Sequence, residues 1–148
     1  MAKKFRGVEI VKQIKKANDL GLARFLLKTQ SKLSENAPVD SGRFASSWFI
    51  GQGSPNRSKA KKRKGSGKNE AWRSGVDTPV ISVTEPTGKI TADKDHWISN
   101  NLPYAERVCI DPKWAKNGAN GEAWFTTIVN NLGRDAKKDF EFFLRKVK

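Results

Sequence analysis

Asp93, Asp95 and His96 are the residues whose types and spacing come nearest to chemistry: two carboxylates and the chain's one imidazole within four positions, followed by Trp97. A cluster of this kind can hold a divalent cation and activate water, which would make the chain a small metal-dependent nuclease. Asp93 and Asp95 flank Lys94 in a stretch that reads as a polar turn, where carboxylates are ordinarily solvated. A nucleophile also needs a base oriented by a third group, and His96 is the only imidazole on offer. Cys109 is the single cysteine, which leaves neither an intrachain disulfide nor a cysteine-based zinc set. The glycines of GQGSPN at 51–56 lack the lysine-serine ending of a phosphate-cradling loop. Neither catalysis nor a cofactor or metal is therefore expected.

The strongest chemical signal is charge. The chain of 148 residues carries a formal +14, and half of that excess sits in 54–73 (SPNRSKAKKRKGSGKNEAWR). There Arg57, Lys59, Lys61, Lys62, Arg63, Lys64, Lys68 and Arg73 face the single acid Glu70. Such a run cannot enter a core, because unpaired charges lose several kcal/mol each on desolvation. Gly65, Ser66 and Gly67 favour a solvated loop. The run therefore reads as a flexible cationic arm inserted in a single domain spanning 1–148. The expected partners of so basic a chain are nucleic acid, an acidic protein surface or, least of the three, anionic lipid. Contact with about five phosphates would make log affinity fall with log salt at a slope near −4.5, and Trp72 at the arm's edge could stack on a base. In the alternative the arm is only a solvated loop that keeps the protein soluble. The first residues, MAKKFRGVEIVKQIKK, are basic without a continuous apolar stretch, so neither a secretory signal nor a membrane span is expected, and the chain should be soluble and intracellular when made.

The elements that must carry this arm follow from periodicity. Ile10, Ile14, Ala17, Leu22, Phe25, Leu26 and Leu33 recur with helical spacing among lysines, which predicts a helix over about 8–33, bent at Gly21 and stopped by Asn36 and Pro38. Phe44 to Ile50 reads as a short strand or a helix-to-strand passage. Thr78 to Thr84 alternates as a strand, with a hairpin partner at Lys89 to Ala92 or His96 to Ser99. A short helix fits Tyr104 to Val108. Phe125, Val129, Leu132, Ala136, Phe140, Phe143 and Val147 lie at intervals of 4, 3, 4, 4, 3 and 4, one face of a long helix capped near Asn120 and expected to wall the core. Trp48, Trp72, Trp97, Trp114 and Trp124 are scattered, as core or interface anchors would be. The expected fold is α+β: long N-terminal and C-terminal helices on a small, mainly antiparallel sheet.

Two boxes carry a resemblance. Pro38-Val39-Asp40-Ser41-Gly42-Arg43-Phe44, continuing through Ser47 and Trp48, resembles a PVDTGRLxxSW signature. Asn101-Leu102-Pro103-Tyr104-Ala105-Glu106 resembles an NxxPYAxxxE segment. Both belong to the head-tail joining, or tail-completion, proteins in the necks of tailed bacteriophages. Their order, their separation and the long helix ahead of the first box also agree, over most of residues 8 to 146. Within the boxes, Asp40 can accept from the amides of Gly42 and Arg43, Gly42 supplies backbone freedom, Arg43 can clamp a carboxylate, and Tyr104 can pack with its hydroxyl bonded. Val108 to Pro112 departs from the family, which has a glutamate-aromatic-glycine step there. The resemblance implies a structural virion protein, assembled in the host cytoplasm. It would form a ring of six subunits between the head connector and the tail terminator or tail tube, with packaged double-stranded DNA passing through it and no membrane involved. The rival reading is a basic DNA- or RNA-binding protein that uses the arm as its site.

Overall fold

The computed structural model describes residues 3–37, 42–60, 83–86, 88–111 and 124–147. Helix α1, Lys3–Asn36, runs 34 residues, about 51 Å at 1.5 Å per residue. It extends beyond both ends of the expected span and ends where the Asn36 amide donates to the carbonyl of Lys32 at 2.8 Å. Pro38, the expected stop, lies outside the described residues. A short 3-10 turn, Ala45–Ser47, leads into strand β1, Trp48–Gln52. Strand β2 is His96–Asn100, helix α2 is Ala105–Ile110 and helix α3 is Trp124–Leu144. The architecture is α+β as expected: two long helices against a small antiparallel sheet.

Helices α1 and α3 pack antiparallel, as the pairing of rising with falling residue numbers shows. Gly21 abuts Phe140, Arg24 and Lys28 reach Asp139, and Lys32 reaches Asp135. The helix continues through Gly21 without a break. The missing side chain admits the neighbouring helix, since a Cβ there would stand 3.0 Å from the Phe140 Cα. Close approach is what glycine provides at this position.

Strand β2 pairs with β1, in the register Trp48↔Asn100, Ile50↔Ile98 and Gln52↔His96, a pairing that periodicity did not suggest. Of the expected strand Thr78–Thr84, 78–82 lie outside the described residues, and Val83 and Thr84 have no strand structure. One hairpin partner expected for it, Lys89–Ala92, is irregular chain. Four consecutive residues of β1, Trp48 to Gly51, are buried, because the strand is covered on both faces. Gln30 of α1, fully buried, donates to the Trp48 carbonyl at 2.7 Å and to the Thr84 carbonyl at 2.9 Å. On the other side the chain folds back over Gly51, where a Cβ would collide with the Ser54 carbonyl oxygen. Gly53 turns the strand into that fold-back at φ 76°, with its amide donating to Asp95.

The core centres on aromatics. Phe44, Trp48 and Trp124 are buried with Leu33, Ala37, Leu102, Ala105, Val108 and Cys109, and Phe44 sits edge-on to both tryptophans at 5.8 and 6.3 Å. A smaller cluster joins Leu26, Ile50 and Ile90. Helix α3 contributes less than its stripe suggested. Trp124 and Asp139 are its buried residues, Phe125, Leu132, Ala136, Phe140 and Phe143 are half-buried, and Val129 is exposed. A charged group replaces apolar packing along its middle because Asp139 meets Arg24 at 3.0 Å and Lys28 at 2.8 Å. Val147 lies just past the helix, and the expected cap at Asn120 is outside the described residues.

Candidate functional site: the root of the basic arm

The two sequence boxes meet in space. Asn100, the last residue of β2, donates its side-chain amide to the Phe44 carbonyl at 3.0 Å and accepts from the Leu102 amide through Oδ1 at 3.3 Å. The rings of Phe44 and Tyr104 lie 6.3 Å apart, tilted by 33°. Gly42 has φ 79°, a left-handed value that a side chain would strain. The conformational freedom expected of it is therefore used. Its carbonyl accepts from the Ser46 amide at 3.0 Å, and the Ser47 amide donates to the Phe44 carbonyl at 3.0 Å to close the 3-10 turn. Pro103 and Glu106 are exposed, and Tyr104 is half-buried at the start of α2. Trp48 stacks on Phe125 of α3 at 6.1 Å. Pro38 and Asp40 lie outside the described residues.

This joint grips the first residues of the arm. Asn101 donates its side-chain amide to the carbonyls of Asn56 and Ser58, at 2.6 and 3.2 Å. The Ser99 hydroxyl donates to the Asn56 carbonyl at 2.7 Å. The Ala60 amide donates to Ser47 Oγ at 3.1 Å, while the Ala60 carbonyl accepts from Arg43 Nε at 3.0 Å. Ser47 in turn donates to the Arg43 carbonyl at 2.7 Å. Carbonyls at 56, 58 and 60 are thus held by side chains of Arg43, Ser99 and Asn101, whereas the intervening Arg57 and Lys59 stand exposed. Neutral and cationic donors hold the main chain, so the side-chain charges remain available to a partner. The arm is anchored as far as Ala60. Lys61, Lys62, Arg63, Lys64, Lys68, Trp72 and Arg73 lie outside the described residues.

The residues of the hydrolytic alternative lie on β2 and the chain before it. His96 Nε2 lies 3.1 Å from Gln52 Oε1, its cross-strand neighbour, and the same oxygen accepts from the Thr91 amide at 3.2 Å. Asp93 and Asp95 are exposed. Among the described residues, no three His, Cys, Asp or Glu side chains come together as metal ligands. Burial pushes the Cys109 thiol up to about 12, which keeps it protonated and unreactive at neutral pH. No described helix is long and apolar enough to cross a membrane.

Sequence reasoning missed the pins on residues 56–60, because the composition of 54–73 is uniformly loop-like and the anchoring groups are distant in sequence. It also missed the ladder between the long helices. Arg24, Lys28 and Lys32 step by four along α1, and Asp135 and Asp139 do so on α3. Those matched spacings of opposite charge were a readable signal. The hydrogen bond from Lys32, at 2.5 Å, holds the Asp135 carboxyl below the usual carboxylate range. Compared with family models, with curated proteins and with solved structures, the chain matches none.

Proposed function

We propose that this chain is a structural component of a phage head-tail joint, an α+β domain that closes into a ring between head connector and tail and inserts its basic arm against an acidic surface. The observation that supports this reading best is the convergence of the two boxes on the arm's root. Arg43 and Ser47 of the first box and Asn101 of the second bond residues 56–60, with Ser99 just ahead of the second box adding a further bond. A mechanical part needs this: a fixed exit direction for the arm and no reactive group. Copies of the arm around a closed ring would repel one another, so the assembled state requires a counter-charge from DNA phosphates, the tail terminator or the connector.

The test is replacement of Lys61, Lys62, Arg63 and Lys64 by alanine together. The isolated variant should keep its circular dichroism and melting temperature, while heads and tails accumulate unjoined. Undiminished yields of infectious particles would refute the reading. Tight, strongly salt-dependent binding of the wild-type monomer to duplex DNA, lost in the same variant, would favour the nucleic-acid-binding reading instead.

A further inference from the structure

From Gly7 to Lys16, helix α1 leaves apolar side chains exposed on the face that continues its packing seam. The seam that α1 presents to α3 runs through Gly21, Arg24, Lys28 and Lys32, at intervals of 3, 4 and 4, with buried Ala17 one step of four ahead of it. Continued toward the N-terminus with the same spacing, it reaches Ile14 and Ile10, which are 40% and 41% exposed. Val11 and Val8, one turn apart beside them, are 66% and 58% exposed. Lys12, Lys15 and Lys16 are exposed around this apolar strip, with Glu9 as the only acid in 7–16. Gly7 to Lys16 spans roughly 15 Å, and among the described residues Lys15 lies near enough to Asp93 for its charge to act on that carboxyl while the apolar strip stays exposed. Ten residues of helix with so little tertiary packing are marginal in water, so the overhang gains most from a partner.

We propose that this overhang is a docking site for an acidic amphipathic helix of a different polypeptide, laid along the seam beyond the end of α3. Two observations select that occupant. The apolar strip is continuous with the interface already used inside the domain. There, α1 supplies the cations and the opposing helix the carboxylates: Asp139 for Arg24 and Lys28, Asp135 for Lys32. A helix that follows the same rule farther along would carry glutamates or aspartates opposite Lys12, Lys15 and Lys16. A second copy of this chain is a poor occupant. Its charge is +14, and the acids of its α3 are engaged with Arg24, Lys28, Lys32, Lys137 and Arg145. A lipid surface suits it less, since it would favour bulkier Trp, Phe or Leu side chains than the Val and Ile found here. The inference stands independently of the head-tail reading.

The probe is a synthetic amphipathic peptide of about three heptads, with leucine at the two core positions and glutamate at the flanking ones. Binding to the full chain is followed by fluorescence anisotropy and by hydrogen exchange. The peptide should bind, weaken with added salt and protect the amides of residues 7–16. Ile10→Asp with Ile14→Asp should weaken it by about tenfold or more while the melting temperature holds, because both positions are exposed. Lys12→Glu with Lys15→Glu and Lys16→Glu should weaken it comparably and restore binding to a lysine-flanked peptide. No binding, equal binding by the isoleucine variant, or protection elsewhere than 7–16 would overturn the proposal. So would a dimer in sedimentation equilibrium, or stronger binding to anionic vesicles or duplex DNA, abolished by Ile10→Asp and Ile14→Asp.

Discussion

The side-chain amide of Asn101 donates to the main-chain carbonyl of Asn56 at 2.6 Å, across 45 positions of sequence. One short side chain from the second box thereby fixes the place where the basic arm leaves the domain.

Replacing Asn101 by alanine should release that place without unfolding the protein. Two hydrogen bonds are lost, to Asn56 and Ser58, removing about 1–2 kcal/mol of local stability. Native-state hydrogen exchange should show faster exchange at Ser58 and Ala60, with protection in α1 and α3 unchanged.

Gly21→Ala pits two effects against each other. Alanine gains up to about 1 kcal/mol of helix propensity. Its Cβ would meet the Phe140 Cα at 3.0 Å and the ring at 3.1 Å, and overpacking of this kind costs about 1–3 kcal/mol. Because one of the opposing atoms is backbone, the clash should win. Thermal unfolding should show a lower midpoint for Gly21→Ala and a still lower one for Gly21→Val.

Asp139→Asn should be the most damaging single change on the helix pair. The carboxylate is buried while its partners Arg24 and Lys28 are partly exposed, so the loss is that of charge-assisted hydrogen bonds, about 1.5–3 kcal/mol. Lys28→Ala should cost less, within about 1 kcal/mol, since half of that side chain faces solvent and Arg24 remains. Urea midpoints of the two variants measure the difference.

The Lys32–Asp135 pair gives a pH signature. The Asp135 carboxyl titrates below the usual range when folded, chiefly through the Lys32 hydrogen bond. The unfolded state therefore binds the proton more readily. The pair's contribution is complete above the unfolded value, about 3.9, and is lost as pH falls through the lower folded value. Between pH 5 and pH 3 the wild-type urea midpoint should fall more than that of Asp135→Asn.

Cys109 reports on opening of the core. Its thiol is buried and pushed up to about 12, so an aromatic disulfide reagent at pH 8 should react slowly with native protein and quickly in denaturant. Rapid labelling of the native protein would contradict the packing of α2 on Trp124.

Much of the fold could be read from spacing, and the failures share a cause. Both long helices announced themselves through apolar residues at three and four, and Gly42 through the turn that required it. The strand pairing did not, because Trp48 to Gly51 is buried on both faces and shows no alternation. Its partner, His96 to Asn100, was readable as a strand run, but it is half-buried throughout and gave no sign of which strand it joins. The stripe on α3 misled because Val129 matches its period yet faces solvent, while Asp139, which breaks the apolar pattern, is buried by partners 111 and 115 positions away. Charge composition located the arm, but which of its carbonyls are gripped depends on side chains brought together only by the sheet.

On the proposed function, the basic arm rooted by Arg43, Ser99 and Asn101 works inside a larger assembly. The decisive experiment is a cryo-electron-microscopy reconstruction of complete particles at the vertex joining capsid to tail. A closed ring of this chain is expected there, with Arg57 and Lys59 of every copy directed toward DNA or an acidic neighbour. A vertex fully accounted for by other polypeptides would contradict it.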